Sequence, residues 1–438
     1  ANTLASGGYA VDNSCRFNSG SSDYLNRTQE AATDRKKFTF SVWVKICGLT
    51  GYRFIYSSYN DANNRLGFYI HTTYGFTIYD RQTSDVVLQI NNALARDVSA
   101  WYNYVVKGDS TESSQADRIK CWVNGEVVTS FQGDSVNNIG LNDNFAFGTT
   151  SFNSYVGCYD GSNNFHNGYL SEMCFLDGQA LDPTSFGEFD EDSGIWKPIS
   201  VSGLTYGTNG FYLDFESSGS LGNDAVGSNN FTVNNLTAID QTTDTPTNNF
   251  CTLNALQPIS SISYSNGNLT FTNSSSNHRM VNSTLAVSSG KYYAEVKAST
   301  LGGNYPQIGI IDPDKFDNDD YLGSADGGYA YLSNGNKQYN NSGTSFGNTY
   351  TTGDIIGIAV DLDNHKLYFA KNGTWQNSGD PTSGATGTGS AYDLVTNVSY
   401  SFAQSSIDGG TDPVYDWNFG NPPYAISSGN TDGNGYGN

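Results

Sequence analysis

The carboxylate run EFDE (Glu188–Glu191) is the first place to look for bond-breaking chemistry. A retaining glycosidase needs two carboxyl groups about 5–5.5 Å apart, one as nucleophile and one as acid. Alternate residues of a strand share a face and can meet that spacing. Glu188 and Asp190 stand two apart, but Glu191 points to the opposite face and no second glutamate takes the next position. Hydrolysis is therefore not expected there. DPDKFDNDDY (312–321) is the densest acidic cluster, and Asp312, Asp314, Asp317 and Asp319, with Asp320, could offer the oxygens that a hard cation such as Ca²⁺ prefers. It lacks the sixth-position glycine and twelfth-position glutamate of an EF-hand loop, so a solvated acidic loop is the competing reading. A third candidate is CYDGSNNFHNG (158–168), where Tyr159, Asp160, Asn163, Asn164 and His166 mix a ring with amide and carboxylate groups. Such a set grips hydroxyls while the ring stacks on a sugar face, although loops of this composition are also common plain connectors. The four histidines, His71, His166, His278 and His365, are scattered and assemble no Ser-His-Asp or Cys-His set.

These candidates need strands to hold them. GDIIGIAVDLDNHKLYFAKNGTW (353–375) alternates Ile356, Ile358, Val360 and Leu362 with small or polar residues, then resumes at Leu367 and Phe369. Asp363-Asn364 and Asn372-Gly373 are turn signals, so the stretch predicts strand, turn, strand, turn, with His365 a solvated turn residue. The same period of two runs through FTFSVWVKI (38–46), RFIYSSY (53–59), RLGFYIHTTYGFTIYD (65–80), WYNYVVKGD (101–109) and DRIKCWVNGEVVTSF (117–131). With 49 Gly, 30 Tyr, 24 Phe and only 15 % charged residues, the composition suits strands and turns and disfavours long helices. An all-β chain is expected. Its 438 residues exceed one compact core, so two domains are expected as well.

The net charge is −22, with 14 basic against 27 acidic residues in 1–250 and 7 against 16 in 251–438. Both halves would repel phosphate backbones and anionic lipid, which argues against nucleic-acid partners. The opening ANTLASGGYAVDNS has neither the basic nor the apolar run of a secretory leader, and no membrane insertion is expected. Six cysteines without metal-ligand spacing read as partly buried thiols of a chain folded in a reducing cytoplasm, with disulfides left as the alternative.

In order and content, FTFSVWVK, WYNYVV, RIKCWVNGEVV and GYLSEMCFLDGQALD resemble the strands of LamG-type, concanavalin A-like domains, over about residues 10–187. SSGKYYAEVK, PQIGI, the 353–375 stretch and YDWNFGNPPY resemble the SPRY family over about 251–424. Both resemblances imply packed antiparallel sheets, giving two concanavalin A-like/jelly-roll β-sandwich domains (1–187 and 251–424) joined by a Gly/Asn-rich linker. That linker, 188–250, is expected to pack partly on the first domain, because Phe211, Leu213 and Phe215 alternate like an added edge strand. Residues 425–438 read as a flexible tail.

The joint sequence NGYLSEMCFLDGQALDPTSFGEFDEDSGIWKP, then YGTNGFYLDFESSGSLGND and TPTNNFCTLNAL, is similar to structural proteins of marine tailed bacteriophages. This implies a virion component, a tail fibre or surface appendage, assembled in the host cytoplasm and extracellular once the particle is released. The resulting expectation is a non-enzymatic attachment protein. Its partners would be further copies of itself, other virion proteins and a host cell-surface glycan. The alternatives are an architectural decoration without a ligand and, behind it, a polysaccharide depolymerase.

Overall fold

The computed structural model describes residues 8–426 apart from 49–50, 72, 74, 83–84, 91–96, 134, 257–258, 260 and 304–305. The tail expected at 425–438 therefore lies almost wholly outside the described residues. The fold is all-β: antiparallel strands and short 3₁₀ turns, without an α-helix among the described residues. Among the described residues, no helix is long and apolar enough to cross a membrane. The chain divides into two compact units, 1–249 and 250–438.

In the first unit, two sheets face each other. One runs in the order Glu126–Val127, Ile119–Val123, Trp101–Asp109, Lys37–Ile46, Gly168–Asp177, Ser14–Phe17, Gln241–Thr242. The other runs Val136–Asn137, Asp85–Gln89, Gly75–Arg81, Asn64–His71, Tyr52–Asp61, Asn153–Val156, Tyr24–Thr28, Thr232–Asn234. Their inward residues form one core, in which Phe38, Phe40, Val42, Val44 and Ile46 of the Lys37–Ile46 strand meet Tyr56, Leu66, Phe68, Ile70, Phe76 and Ile78. Ring pairs knit this layer, among them Phe40–Phe68 at 4.4 Å and Phe76–Tyr104 at 4.1 Å.

Residues 188–249, expected as a linker that packs partly on the first domain, lie within this unit. Its Phe211–Leu213 strand pairs with Gly168–Asp177, Thr232–Asn234 with Tyr24–Thr28, and Gln241–Thr242 with Ser14–Phe17. Phe211, Leu213, Phe215, Leu221, Phe231 and Leu236 enter the main core. Phe186, Val201, Tyr206 and Tyr212 cover the far face of the first sheet, against Val105, Trp122, Cys174 and Leu176. The physical reason is simple. The odd-parity residues of FTFSVWVKI include Trp43, an apolar surface that needs a cover, and Trp43 lies in a buried cluster with Cys47, Trp101, Tyr169 and Trp196.

The second unit has one sheet in the order Ile262–Ser265, Thr270–Asn273, Val414–Asn418, Lys291–Thr300, Ile355–Asp361, Lys366–Lys371, Thr374–Trp375, and another in the order Arg279–Val287, Tyr400–Ser406, Gln307–Ile311, Gly328–Leu332, Asn336–Tyr339, Ser342–Ser345. The 353–375 stretch is strand, turn, strand, turn as its sequence predicts. His365 (φ +58°) and the Asn372-Gly373 pair (φ +47° and +76°) take the left-handed conformations its two turns require. Ile356, Ile358, Val360, Leu367 and Phe369 fill the core beside Tyr415 and Trp417.

Candidate ligand cleft

On the Tyr52–Asp61, Asn64–His71 and Gly75–Arg81 strands, one set of alternate positions fills the core. The other set would ordinarily be polar in a half-solvated sheet. Here it holds Tyr52, Phe54, Arg65, Tyr69 and Tyr79. Register places Phe54 opposite Tyr69 and Gly67 opposite Tyr79. Gly67 lies between Arg65 and Tyr69 along its strand, and a Cβ there would stand 2.9 Å from the Phe54 ring. The missing side chain is what lets Phe54 lie down across the sheet.

The loop after Asn153–Val156 closes over these rings. Tyr159 packs on Phe54 at 4.8 Å and on Tyr59 at 5.0 Å between centroids. Asn164 takes φ +57°, and its carbonyl accepts a hydrogen bond from the Phe54 amide at 3.3 Å, docking the loop on the strand. The result is an open cleft of ≈ 200 Å³ lined by Tyr52, Phe54, Arg65, Tyr69, Tyr79, Tyr159 and Asn164. Among the described residues, Arg65 is its only charged lining residue. Its guanidinium lies over Tyr79 at 4.5 Å and over Tyr159 at 5.4 Å, and donates to both phenol oxygens, to Tyr79 at 2.8 Å. Cation–π contact and hydrogen bonds thus fix the two tyrosines as walls around one planar donor.

The structure divides the residues proposed from the sequence. Tyr159 and Asn164 line the cleft. Asp160 and Asn163 sit on the same loop, engaged with each other: the Asn163 amide donates to both Asp160 oxygens, and the Ser162 amide donates to Oδ1. His166 is a correction. It is buried to 1 % exposure, edge-on to Phe17 at 6.2 Å. Burial, and then Arg53, push its pKa down to about 3, so it is a neutral core ring that cannot touch a surface ligand. Arg65, Tyr52, Phe54, Tyr69 and Tyr79 were not singled out from the sequence. The signal was present, since RFIYSSY and RLGFYIHTTYGFTIYD carry rings at both parities, more than one core face can absorb.

The acidic loop of the second unit is also a correction. Its carboxylates do not converge, and among the described residues no three His, Cys, Asp or Glu side chains gather as a metal set. Asp312 caps a short turn by accepting from the Asp314 amide at 3.0 Å, and Asp317 does the same for Asp319 at 3.0 Å. Asp319 pairs with Arg279 at 2.8 Å, and Asp320 accepts from the Ser324 hydroxyl and the Tyr321 amide. Asp312, Asp317, Asp319 and Asp320 thus each address a separate local partner rather than a common centre. Glu188 and Asp190 both address Lys197, at 3.4 and 3.1 Å, and Ser193 and Lys197 hold Asp190 down to about 2.

Residues 19–184 match the family model described as concanavalin A-like lectin/glucanases superfamily, and residues 291–396 match the SPRY domain model. Among solved structures, the chain is similar to the SPRY domain of human HERC1 (16% identity, 34% of this chain and 87% of that one, TM-score 0.28). It is likewise similar to a human SPRY domain (15% identity, 38% and 96%, TM-score 0.28) and to stonustoxin (18% identity, 39% and 27%, TM-score 0.29). By the two family-model matches alone, the chain carries a concanavalin A-like domain followed by a SPRY domain.

Proposed function

We propose that the chain is a non-enzymatic attachment protein of a bacteriophage virion, a tail fibre or surface appendage, which holds a host-surface glycan in the cleft around Arg65. The observation that carries the binding half of this reading is the cleft itself: five outward rings around one guanidinium on an otherwise ordinary sandwich sheet. Rings stack on the C–H faces of a pyranose, and Arg65 with Asn164 offers donors to its hydroxyls. The cleft falls within the stretch that matches a model named for lectins and glucanases. The virion assignment is supported by the joint sequences around 167–256 alone. An open site of this size gives weak single contacts, so the reading includes display in several copies, as a homo-oligomer among other virion proteins.

The test is a glycan array probed with the full chain displayed multivalently, run beside a reducing-end assay on host polysaccharide. Binding to a restricted glycan set without reducing-end release supports the reading. Silence on the array would favour an architectural decoration, and release of reducing ends would favour a depolymerase.

A further inference from the structure

Lys45 lies on the Lys37–Ile46 strand at a position that a half-solvated sheet would expose, yet it is 0 % exposed. Its Nζ donates to Asp244 Oδ2 at 2.7 Å and to Asn249 Oδ1 at 2.8 Å. Asp244 Oδ1 in turn accepts from Trp101 Nε1 at 3.0 Å, and Asn249 Nδ2 donates to the Ser99 carbonyl at 2.7 Å. The amide is thus gripped at both ends, with its carbonyl on the amine. Trp101 and Tyr169 belong to a buried cluster with Trp43, Cys47 and Trp196, and the Tyr169 ring is 5.8 Å from Nζ.

From this geometry we infer that Lys45 and Asn249 form an intramolecular isopeptide bond, with Asp244 as the proton carrier. Three requirements of amide exchange meet here. An amine and an amide carbonyl are held in contact before reaction, which replaces a bimolecular encounter. A carboxylate touches the amine and can shuttle its proton. Lys45 and Asp244 are buried to 0 % and 2 % exposure, so little water competes for the amine and the proton carrier. In the step itself, Asp244 takes a proton from the Lys45 ammonium, and the freed Nζ lone pair forms the bond to Cγ of Asn249. Asp244 passes that proton to Nδ2, the tetrahedral centre collapses and the Cγ–Nδ2 bond breaks. Asp244 then carries the second Nζ proton to the leaving ammonia, which departs as ammonium and leaves a neutral amide and a carboxylate. No oxidant or cofactor is required.

The bond would join the last residue of the first unit to a strand that is paired on both sides, with Trp101–Asp109 and Gly168–Asp177. Tension entering from the C-terminal side would reach this interior strand directly instead of peeling the short Gln241–Thr242 strand from the sheet margin.

The test is the intact mass of the denatured, freshly purified full chain. The inference predicts a mass about 17 Da below that calculated from the sequence, the loss of one ammonia. It also predicts a branched proteolytic peptide containing Lys45 and Asn249. Asn249→Ala should restore the calculated mass. Asn249→Asp should change the loss to about 18 Da, as water leaves instead. Asp244→Asn, which keeps one of the two acceptor oxygens but can no longer take up a proton, should slow or abolish the loss. The calculated mass in the parent chain, even after prolonged incubation, would overturn the inference. So would a 17 Da loss that persists in Asn249→Ala and maps to an Asn-Gly site such as Asn124-Gly125.

Discussion

The two sandwiches treat charge in opposite ways. The first buries Arg16, Lys45, Asp80, His166, Glu172, Asp177, Asp224 and Asp244, whereas Asp361 alone represents the charged residues among those described as buried in the second. In the second unit the dense acidic loop spends its oxygens on its own turns and on Arg279. Part of the difference follows from the covering segment. Its Asp244 and Tyr212 meet Lys45 and Glu172 of the first sheet, so the charges it covers find partners inside. The first domain is therefore the one whose stability should answer to single charges and to pH, and it also carries the one cleft described here.

The largest effect should come from breaking that buried chemistry. Lys45→Ala strands Asp244 and also removes the inferred crosslink, so it should cost at least about 3–5 kcal/mol in chemical denaturation, the loss typical of removing one partner from a buried pair. Its counterpart in the second unit, Lys366→Ala, loses an exposed bond to Asp393 (78 % exposed) and should cost under about 1 kcal/mol. Equal costs would erase the contrast.

Glu172 gives the next effect. It sits at a β-bulge with φ +48°, where its carboxylate accepts from Tyr212 at 2.8 Å and Tyr9 at 3.0 Å. Burial raises its pKa from 4.5 to about 7. The folded state then keeps a proton that the unfolded chain releases. This stabilisation is complete below pH 4.5 and is lost as pH climbs through about 7. Glu172→Gln should remove that fall, so its stability relative to the parent should rise by on the order of 3 kcal/mol between these limits. Asp80, also raised to about 7 by burial, acts in the same direction. His166 acts oppositely, contributing stability above pH 6.5 that disappears as pH falls toward 3. The difference between variant and parent, rather than either raw curve, is the quantity to read.

The smallest effect is expected at the acidic loop. Because its carboxylates point to separate partners, exchanging EDTA for millimolar Ca²⁺ should leave the melting temperature within about 1 °C. Asp314→Asn should change stability by no more than about 0.5 kcal/mol. A rise of several degrees with Ca²⁺ would show that the loop rearranges into a cation site.

Much of this was legible in the sequence, for a physical reason. Period-two alternation writes out a core strand, as in Phe38, Phe40, Val42, Val44 and Ile46, and Asn-Gly pairs write out turns, as at Asn372-Gly373. Tyr159 and Asn164 were singled out as a ring among amides on one loop, and both line the cleft. What escaped were consequences of tertiary cover. Lys45 reads as solvent-facing until residues 188–250 fold over it, and His166 reads as a loop residue until Phe17 packs against it. The cleft escaped because its members come from three strands and a loop. Arg65 becomes informative only when register brings Tyr79 and Tyr159 to it.

The most direct test of the account is a titration of the best array glycan against the parent chain, Tyr159→Ala and Asp314→Asn. Removing the Tyr159 wall should weaken binding about tenfold or more. Asp314→Asn, in the other domain, should bind as the parent does. Unchanged affinity in Tyr159→Ala, or an equal loss in Asp314→Asn, would contradict the claim that the ring-lined cleft of the first sandwich is where the ligand sits.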